Sequence, residues 1–281
     1  MSRSGDDARE SRGEAAHNVT TNRAPSITAR DAPESDRHEG PNATRREVAG
    51  RDRTYRLRAS EWDILRTVGT FRVIAERDLA KDTTSHDLRH LVEDRLIDRR
   101  TGIVNHEPTH LIVLTDEGRS LLELHRDQSP DDPRQQYHAG LVKPRELAHD
   151  VQYYRAFQDQ AARVSAEGGR VTRVVLDYEI KREYQRFLNR SDREDLHQDR
   201  HAFAEAHHLP IVDGHLEIPD LRLEIETEDG RVEYRDLEII TEHYSRGQIA
   251  GKARAGFTLY RAGSSQRGGR PADTDHLRWL K

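Results

Sequence analysis

Residues 216–242 constrain the fold more than any other part of the chain. They read Leu-Glu-Ile-Pro-Asp, then an acidic stretch, then Arg-Val-Glu-Tyr-Arg-Asp-Leu-Glu-Ile-Ile-Thr-Glu. Period-two alternation puts Asp220, Arg222 and Glu224 on one face and Leu221, Leu223 and Ile225 on the other. In the second run Tyr234, Asp236, Glu238, Ile240 and Glu242 share a face. This predicts two neighbouring strands with one face committed to a core, and it gathers carboxylates on the other. Carboxylates so placed can hold Mg²⁺ against a phosphodiester, activating water and stabilising the charge that develops. A lysine two residues after the last acid would complete such a site, but Ile240 stands there. Lys252, one of only five lysines, is the candidate replacement.

The rest of the chain limits how large a core can be. Of 281 residues, 33% are hydrophobic and 35% charged, which favours small cores under charged surfaces. The net charge of −5 argues against uniform coating of nucleic acid while leaving room for local basic patches. There is no cysteine, which excludes disulfides and thiolate metal sites and makes a reducing cytoplasm the expected location. No apolar run approaches membrane-spanning length, so no membrane partner is expected.

Residues 1–53 contain scarcely any bulky apolar side chain and read as a disordered tail. Residues 54–126 read as three helices, a two-stranded hairpin and a closing helix, the order of a winged helix-turn-helix. Trp62, Ile64, Leu65 and Val68 mark the first helix, with Ser60 as its cap and Asp63 as a weak capping-box partner; Ala75–Lys81 is a brief second helix. Leu88, Leu91 and Val92 mark the third. The hairpin runs Leu96–Ile103 and His110–Leu114 around a polar tip, and Thr115 caps the helix that follows. Thr84, Ser85, His86, Arg89 and His90 then face the major groove, and Arg99 and Arg100 reach phosphate or the minor groove. A protein-interaction module is the alternative for this unit.

Residues 127–144, rich in Pro and Asp at their start, read as a linker, and residues 145–281 as a second domain. Its expected order is a long helix over about 145–166, a strand at Arg170–Leu176, a helix at Glu179–Leu188, and an insertion with one helix. The two acidic strands follow, then a helix from about 245 to 260, with a last strand at His276–Leu280. Histidines 197, 201, 207 and 208 could form a metal site, but a solvated surface is the simpler reading of them. Gly247, Gly251 and Gly256 lack the context of a phosphate loop and suit close packing of a helix.

Two stretches carry a family resemblance. Leu114-Thr-Asp-Glu-Gly-Arg-Ser-Leu-Leu-Glu123 resembles the strand-to-helix junction after the wing in MarR-like proteins. Leu91-Val-Glu-Asp-Arg-Leu-Ile-Asp-Arg-Arg100 resembles the end of a recognition helix, with Arg95 where the common pattern has glycine. Pro219-Asp220 and the Asp236/Glu238 strand resemble the PD-(D/E)xK nuclease pattern. With His149-Asp150 near a helix start and the helix carrying Gln248, Lys252 and Tyr260, roughly residues 55–262 look like the replication-relaxation proteins of plasmids and mobile elements. The resemblance implies an N-terminal winged helix and a PD-(D/E)xK-like mixed sheet, double-stranded DNA as partner and a homodimer. It also implies Mg²⁺ held by Asp220, Asp236 and Glu238, with Lys252 on the scissile phosphate. The competing expectations are a regulator whose C-terminal domain is inactive and only dimerises or docks a partner, and a toxin–antitoxin or phage-defence component.

Overall fold

The computed structural model describes residues 44–79, 83–126, 135–140, 143–189 and 196–261. The fold is mixed α+β, with several small sheets and seven α-helices among the described residues. The first element begins inside the stretch expected to be tail. Strand β1 (Arg46–Ala49) pairs antiparallel with β2 (Thr54–Leu57). Tyr55 and Leu57 on β2 are buried in the main core, which gives this hairpin the apolar anchor that residues 1–53 alone do not supply.

Helix α1 (Ala59–Phe71) starts one residue before the expected cap. Glu61, not Asp63, closes its capping box by accepting from the Arg58 backbone N–H at 2.8 Å. Ile64, Leu65 and Val68 are buried as the periodicity predicts, and Trp62 is half-buried against the edge of His125. The second helix of the sequence reading is a single turn, Glu76–Asp78, after the two-residue strand β3 (Ile74–Ala75); residues 80–82 lie outside the described residues.

Helix α2 (Ser85–Glu93) is capped by Thr84, whose hydroxyl accepts from the Asp87 N–H at 3.1 Å. Leu88 and Leu91 point inward, but Val92 is exposed. The hairpin of β4 (Ile97–Val104) and β5 (Glu107–Leu114) turns tightly at Asn105-His106, both with positive φ, so the expected five-residue tip is shortened to two. The sheet order is β3-β5-β4. Thr115 caps α3 (Asp116–Arg126) as read from the sequence, accepting from the Gly118 N–H at 3.0 Å.

Residues 135–140 depart from the linker expected there. Both amide groups of the buried Gln135 side chain bond the backbone of Val174 at 3.0 Å. His138 N–H donates to the Gly69 carbonyl and Gly140 N–H to that of Leu114, while Tyr137 is buried. This segment is a strap between the two halves, because Gln135 bonds β6 while the His138 and Gly140 N–H groups bond the N-terminal half.

Helix α4 (Leu147–Ala166), strand β6 (Arg170–Leu176), helix α5 (Asp177–Leu188) and helix α6 (Leu196–Ala206) follow as the sequence predicts, within two residues of each expected boundary given. Two short strands, β7 (Ile211–Val212) and β8 (His215–Leu216), form a separate hairpin. The acidic pair is β9 (Leu221–Glu226) and β10 (Val232–Ile240), antiparallel as expected. Helix α7 (Arg246–Arg254) is shorter than predicted. Its expected last turn is instead the loop into β11 (Thr258–Arg261), so Tyr260 is a buried strand residue and not a helical partner of Gln248. The segment His276–Leu280 lies outside the described residues.

The sheet runs β11-β10-β9-β6, with β10 and β11 parallel and the other neighbours antiparallel. Its leucine-rich face packs on Tyr153, Tyr154 and Phe157 of α4. That cluster continues without a break through Phe71 into Val68, Leu65 and Ile112 of the N-terminal half. The other face carries the charged residues of the acidic strands and a smaller cluster of Val175, Ile180, Phe203 and Leu209.

Candidate functional site

Register brings the two best-placed acids together. Leu221 pairs with Leu237, so Asp220 and Glu238, one step further, face one another across the strand ends. Asp220 N–H donates to Glu238 Oε2 at 3.3 Å, and Asp220 Oδ2 accepts from Ile239 N–H at 2.8 Å. Both acids are almost wholly buried, at 8% and 2% exposure. Asp177, at the start of α5, joins them from the third strand: its N–H donates to the Asp220 carbonyl at 3.0 Å.

Asp236 does not join this group. It pairs directly across the strands with Arg222, whose guanidinium grips both carboxylate oxygens at 2.7 and 2.8 Å. Arg222 also donates to the carbonyls of His207 and His208 and stacks on Tyr234, so Asp236 anchors the α6–β7 connection. The acid called for by the strand's alternation is present, but its charge is already answered.

Lys252 does reach the acids, from α7. Its ammonium lies 3.1 Å from Glu238 Oε1, 3.2 Å from Glu217 Oε2 and 3.0 Å from the Ile218 carbonyl. Those three acceptors match its three N–H donors. Ile240, in the slot where a lysine was looked for, is buried with Phe257 and Leu259, which excludes a charge there.

Several members of the cluster were missed from sequence. His149, near the start of α4, spans two carboxylates: Nε2 lies 3.2 Å from Asp220 Oδ2, and Nδ1 3.3 Å from Asp150 Oδ1. Arg72 approaches Asp150 at 3.2 Å and lies over the ring of Tyr178, so the turn after α1 touches this site. Tyr244 donates to Glu238 Oε1 at 2.9 Å. Tyr153 donates to Asp177 at 3.5 Å, and Lys181 contacts the other Asp177 oxygen at 2.5 Å. His149-Asp150 was visible as a pair. The Asp177–Lys181 spacing, four apart on a helix opening from a strand, was a readable signal for an ion pair at a strand end.

The electrostatics follow from crowding these charges. Burial, and next the neighbouring charge of Asp220, raise the Glu238 carboxyl to about 7 against the opposing pull of Lys252 and Tyr244. Burial works to lower His149, but its bonds to Asp150 and Asp220 outweigh this and raise it to about 10. Lys181 is likewise raised: burial lowers it, and the bond to Asp177 with the charges of Asp177, Asp220 and Glu238 more than compensates. Tyr244 is raised by burial and by Asp220 and Glu238.

Oxygen donors on facing strand ends suit a hard divalent cation. The mutual repulsion of Asp220 and Glu238 is the negative charge such an ion would relieve, so the residues fit it with Asp220 and Glu238 as its holders. A second grouping, Glu61, His86 and Asp87, brings ligand atoms within 4.8 Å of one another. There Arg45 binds Glu61 at 2.7 Å and Arg58 binds Asp87 at 3.1 Å, so the carboxylates already have cationic partners.

The residues expected to read DNA divide in the same way. Ser85, His86 and Arg89 are exposed on α2. Thr84 is engaged as the cap, and His90 sits 3.1 Å from Glu61 and 3.7 Å from Asp94. Arg99 and Arg100 are exposed on the hairpin and paired with Glu76 and Asp98 at 2.6 Å. Of the four histidines considered as a metal site, His207 stacks on Phe203 and His208 on Tyr234; the side chain of His197 lies outside the described residues. No described helix is long and apolar enough to cross a membrane. Comparison with protein-family models, curated proteins and solved structures returned no match.

Proposed function

We propose that the protein binds double-stranded DNA through a winged helix-turn-helix and cuts a DNA strand in a PD-(D/E)xK-like site, with a divalent cation such as Mg²⁺ held by Asp220 and Glu238. The observation that carries this reading is the facing of Asp220 and Glu238 at adjacent strand ends, with Lys252 brought onto Glu238 from the following helix. The strand order β11-β10-β9-β6, with only the β10–β11 pair parallel, is the arrangement expected of that nuclease core. The succession α1, β3, one helical turn, α2, β4, β5, α3 and the order β3-β5-β4 support the winged helix, with the exposed Ser85, His86 and Arg89 the residues to meet base edges. By the sequence resemblance, the DNA belongs to a plasmid or mobile element at a replication or transfer region.

The bound cation would supply charge to stabilise the phosphorane-like transition state and acidify an attacking water. The protein's own residues orient the site. Ile239 N–H and His149 fix the Asp220 carboxylate, while Tyr244 and Lys252 fix that of Glu238. A second reading, a DNA binder whose C-terminal unit only docks a partner, is favoured by the same cationic partners, since Lys252 and His149 offset part of the acids' charge without a metal.

Purified protein with supercoiled plasmid and Mg²⁺ or Mn²⁺ separates the two. Wild type is expected to nick, and Asp220→Ala to lose at least about 100-fold in rate. Shifted but intact plasmid from wild type with either cation would leave the binder as the answer.

A further inference from the structure

We infer that the cation meeting the scissile phosphate is Lys181 of α5, and that Lys252 is a positioning residue whose ammonium holds Glu238. This rests on the nuclease reading above and changes which lysine performs the contact.

Counting donors separates the two lysines. Lys252 has three N–H groups and three acceptors at 3.0–3.2 Å, and its side chain is only 18% exposed. Reaching a phosphate would require it to give up at least one of Glu238, Glu217 and the Ile218 carbonyl, each of which now takes one of its N–H groups. Lys181 is 57% exposed and holds one carboxylate, that of Asp177, by a contact of 2.5 Å. Among the described residues, two of its N–H groups are thus available for a substrate oxygen. Asp177 ties it to the reacting end of the sheet, because the Asp177 N–H bonds the Asp220 carbonyl.

A lysine at this position meets the requirement that Ile240 cannot. It arrives from the helix after β6 instead of from β10 itself, so the sheet keeps its apolar Ile240–Phe257–Leu259 packing. In the step it assists, the oxygen of a water forms a bond to phosphorus as the bond from phosphorus to one bridging deoxyribose oxygen breaks. The departing oxygen takes a proton from solvent, and the water releases one to solvent, giving a phosphomonoester and a free hydroxyl. Lys181 donates an N–H to a non-bridging oxygen as negative charge builds there, an interaction worth more in the transition state than in the bound substrate.

The full chain is tested with two readouts. In Ca²⁺, fluorescence anisotropy on a labelled duplex gives the dependence of affinity on salt. Lys181→Met is expected to lower the slope of log K against log salt by about 0.9, the value of one lost phosphate contact, and Lys252→Met to leave it unchanged. In Mg²⁺ or Mn²⁺, Lys181→Met is expected to lower plasmid nicking by about 10²–10³-fold, with Lys181→Arg recovering part of the rate and an unshifted melting temperature excluding misfolding. An unchanged slope with wild-type nicking in Lys181→Met overturns the assignment alone. A slope change carried by Lys252→Met in place of Lys181→Met also overturns it. Absence of nicking by wild type, with the slope unaffected by either substitution, overturns both the assignment and the nuclease reading.

Discussion

Glu238 and His149 show what burial and close carboxylate neighbours do to single residues at this site. Both hold protons more tightly in the folded chain than outside it, so both contributions to stability are complete below the unfolded value and fade as pH rises through the folded one. For Glu238 that window runs from about 4.5 to about 7, and for His149 from about 6.5 to about 10. Metal-free protein is therefore expected to lose stability progressively from pH 5 to pH 10, by a few kcal/mol at most given partial solvent access. Urea denaturation across that range checks it. Glu238→Gln should flatten the acid part of the curve and His149→Gln the alkaline part; a curve unchanged by His149→Gln would sink the Asp150–His149–Asp220 arrangement as described.

At the scale of elements, the end of α2 explains a departure seen in the sequence. Arg95 has φ of 57°, the left-handed region that favours glycine. Its N–H bonds the Val92 carbonyl and the Leu96 N–H bonds that of Leu91, closing the helix in a Schellman motif before β4 begins. The motif needs the backbone conformation and tolerates arginine at a cost. Arg95→Gly is expected to stabilise by about 0.5–1 kcal/mol, the strain relieved less the extra freedom of an unfolded glycine. A chevron or equilibrium melt showing destabilisation beyond that size would mean that the Arg95 side chain has a role its geometry does not reveal. The strap at residues 135–140 acts at the same scale. Gln135 bonds the outer side of β6, the edge strand of its sheet, and so covers backbone groups that would otherwise be open to pairing.

Taken whole, the molecule does not divide where its composition does. Phe71 at the end of α1 touches Tyr154 and Phe157 of α4, with ring centres 5.2 and 5.0 Å apart. Arg155 of α4 binds Asp78 at 2.7 Å, and Arg72 reaches Asp150 beside the acidic cluster. One apolar cluster therefore runs through both halves, and the N-terminal unit is in direct contact with the proposed site. A single cooperative unfolding transition is expected by calorimetry, with Phe71→Ala lowering it by about 3–5 kcal/mol as one event. Two resolved transitions, with only the first moved by Phe71→Ala, would show the halves to be independent.

Much of this could be read from residues in order. Alternation located β9 and β10 and their faces, and the caps and periodicity located α1 to α5, because local spacing decides which side of a helix or strand is apolar. Asp220 and Glu238 were named as candidates for the same reason, and Lys252 because lysine is rare in this chain. What local spacing could not decide was which charges meet. Asp236 shares a face with Glu238, yet the strand register delivers it to Arg222; Ile240 shares that face too, yet it is drawn into a small core. His149, the Asp177–Lys181 pair and Tyr244 come from three separate places in the chain. Their convergence depends on the packing of α4 and α5 against the sheet, a contact between residues far apart in sequence. The sequence by itself determined most of the longer elements and the acids available to them; only the tertiary structure decided their partners, because a carboxylate's charge is answered by whichever cation the fold brings within a few ångströms.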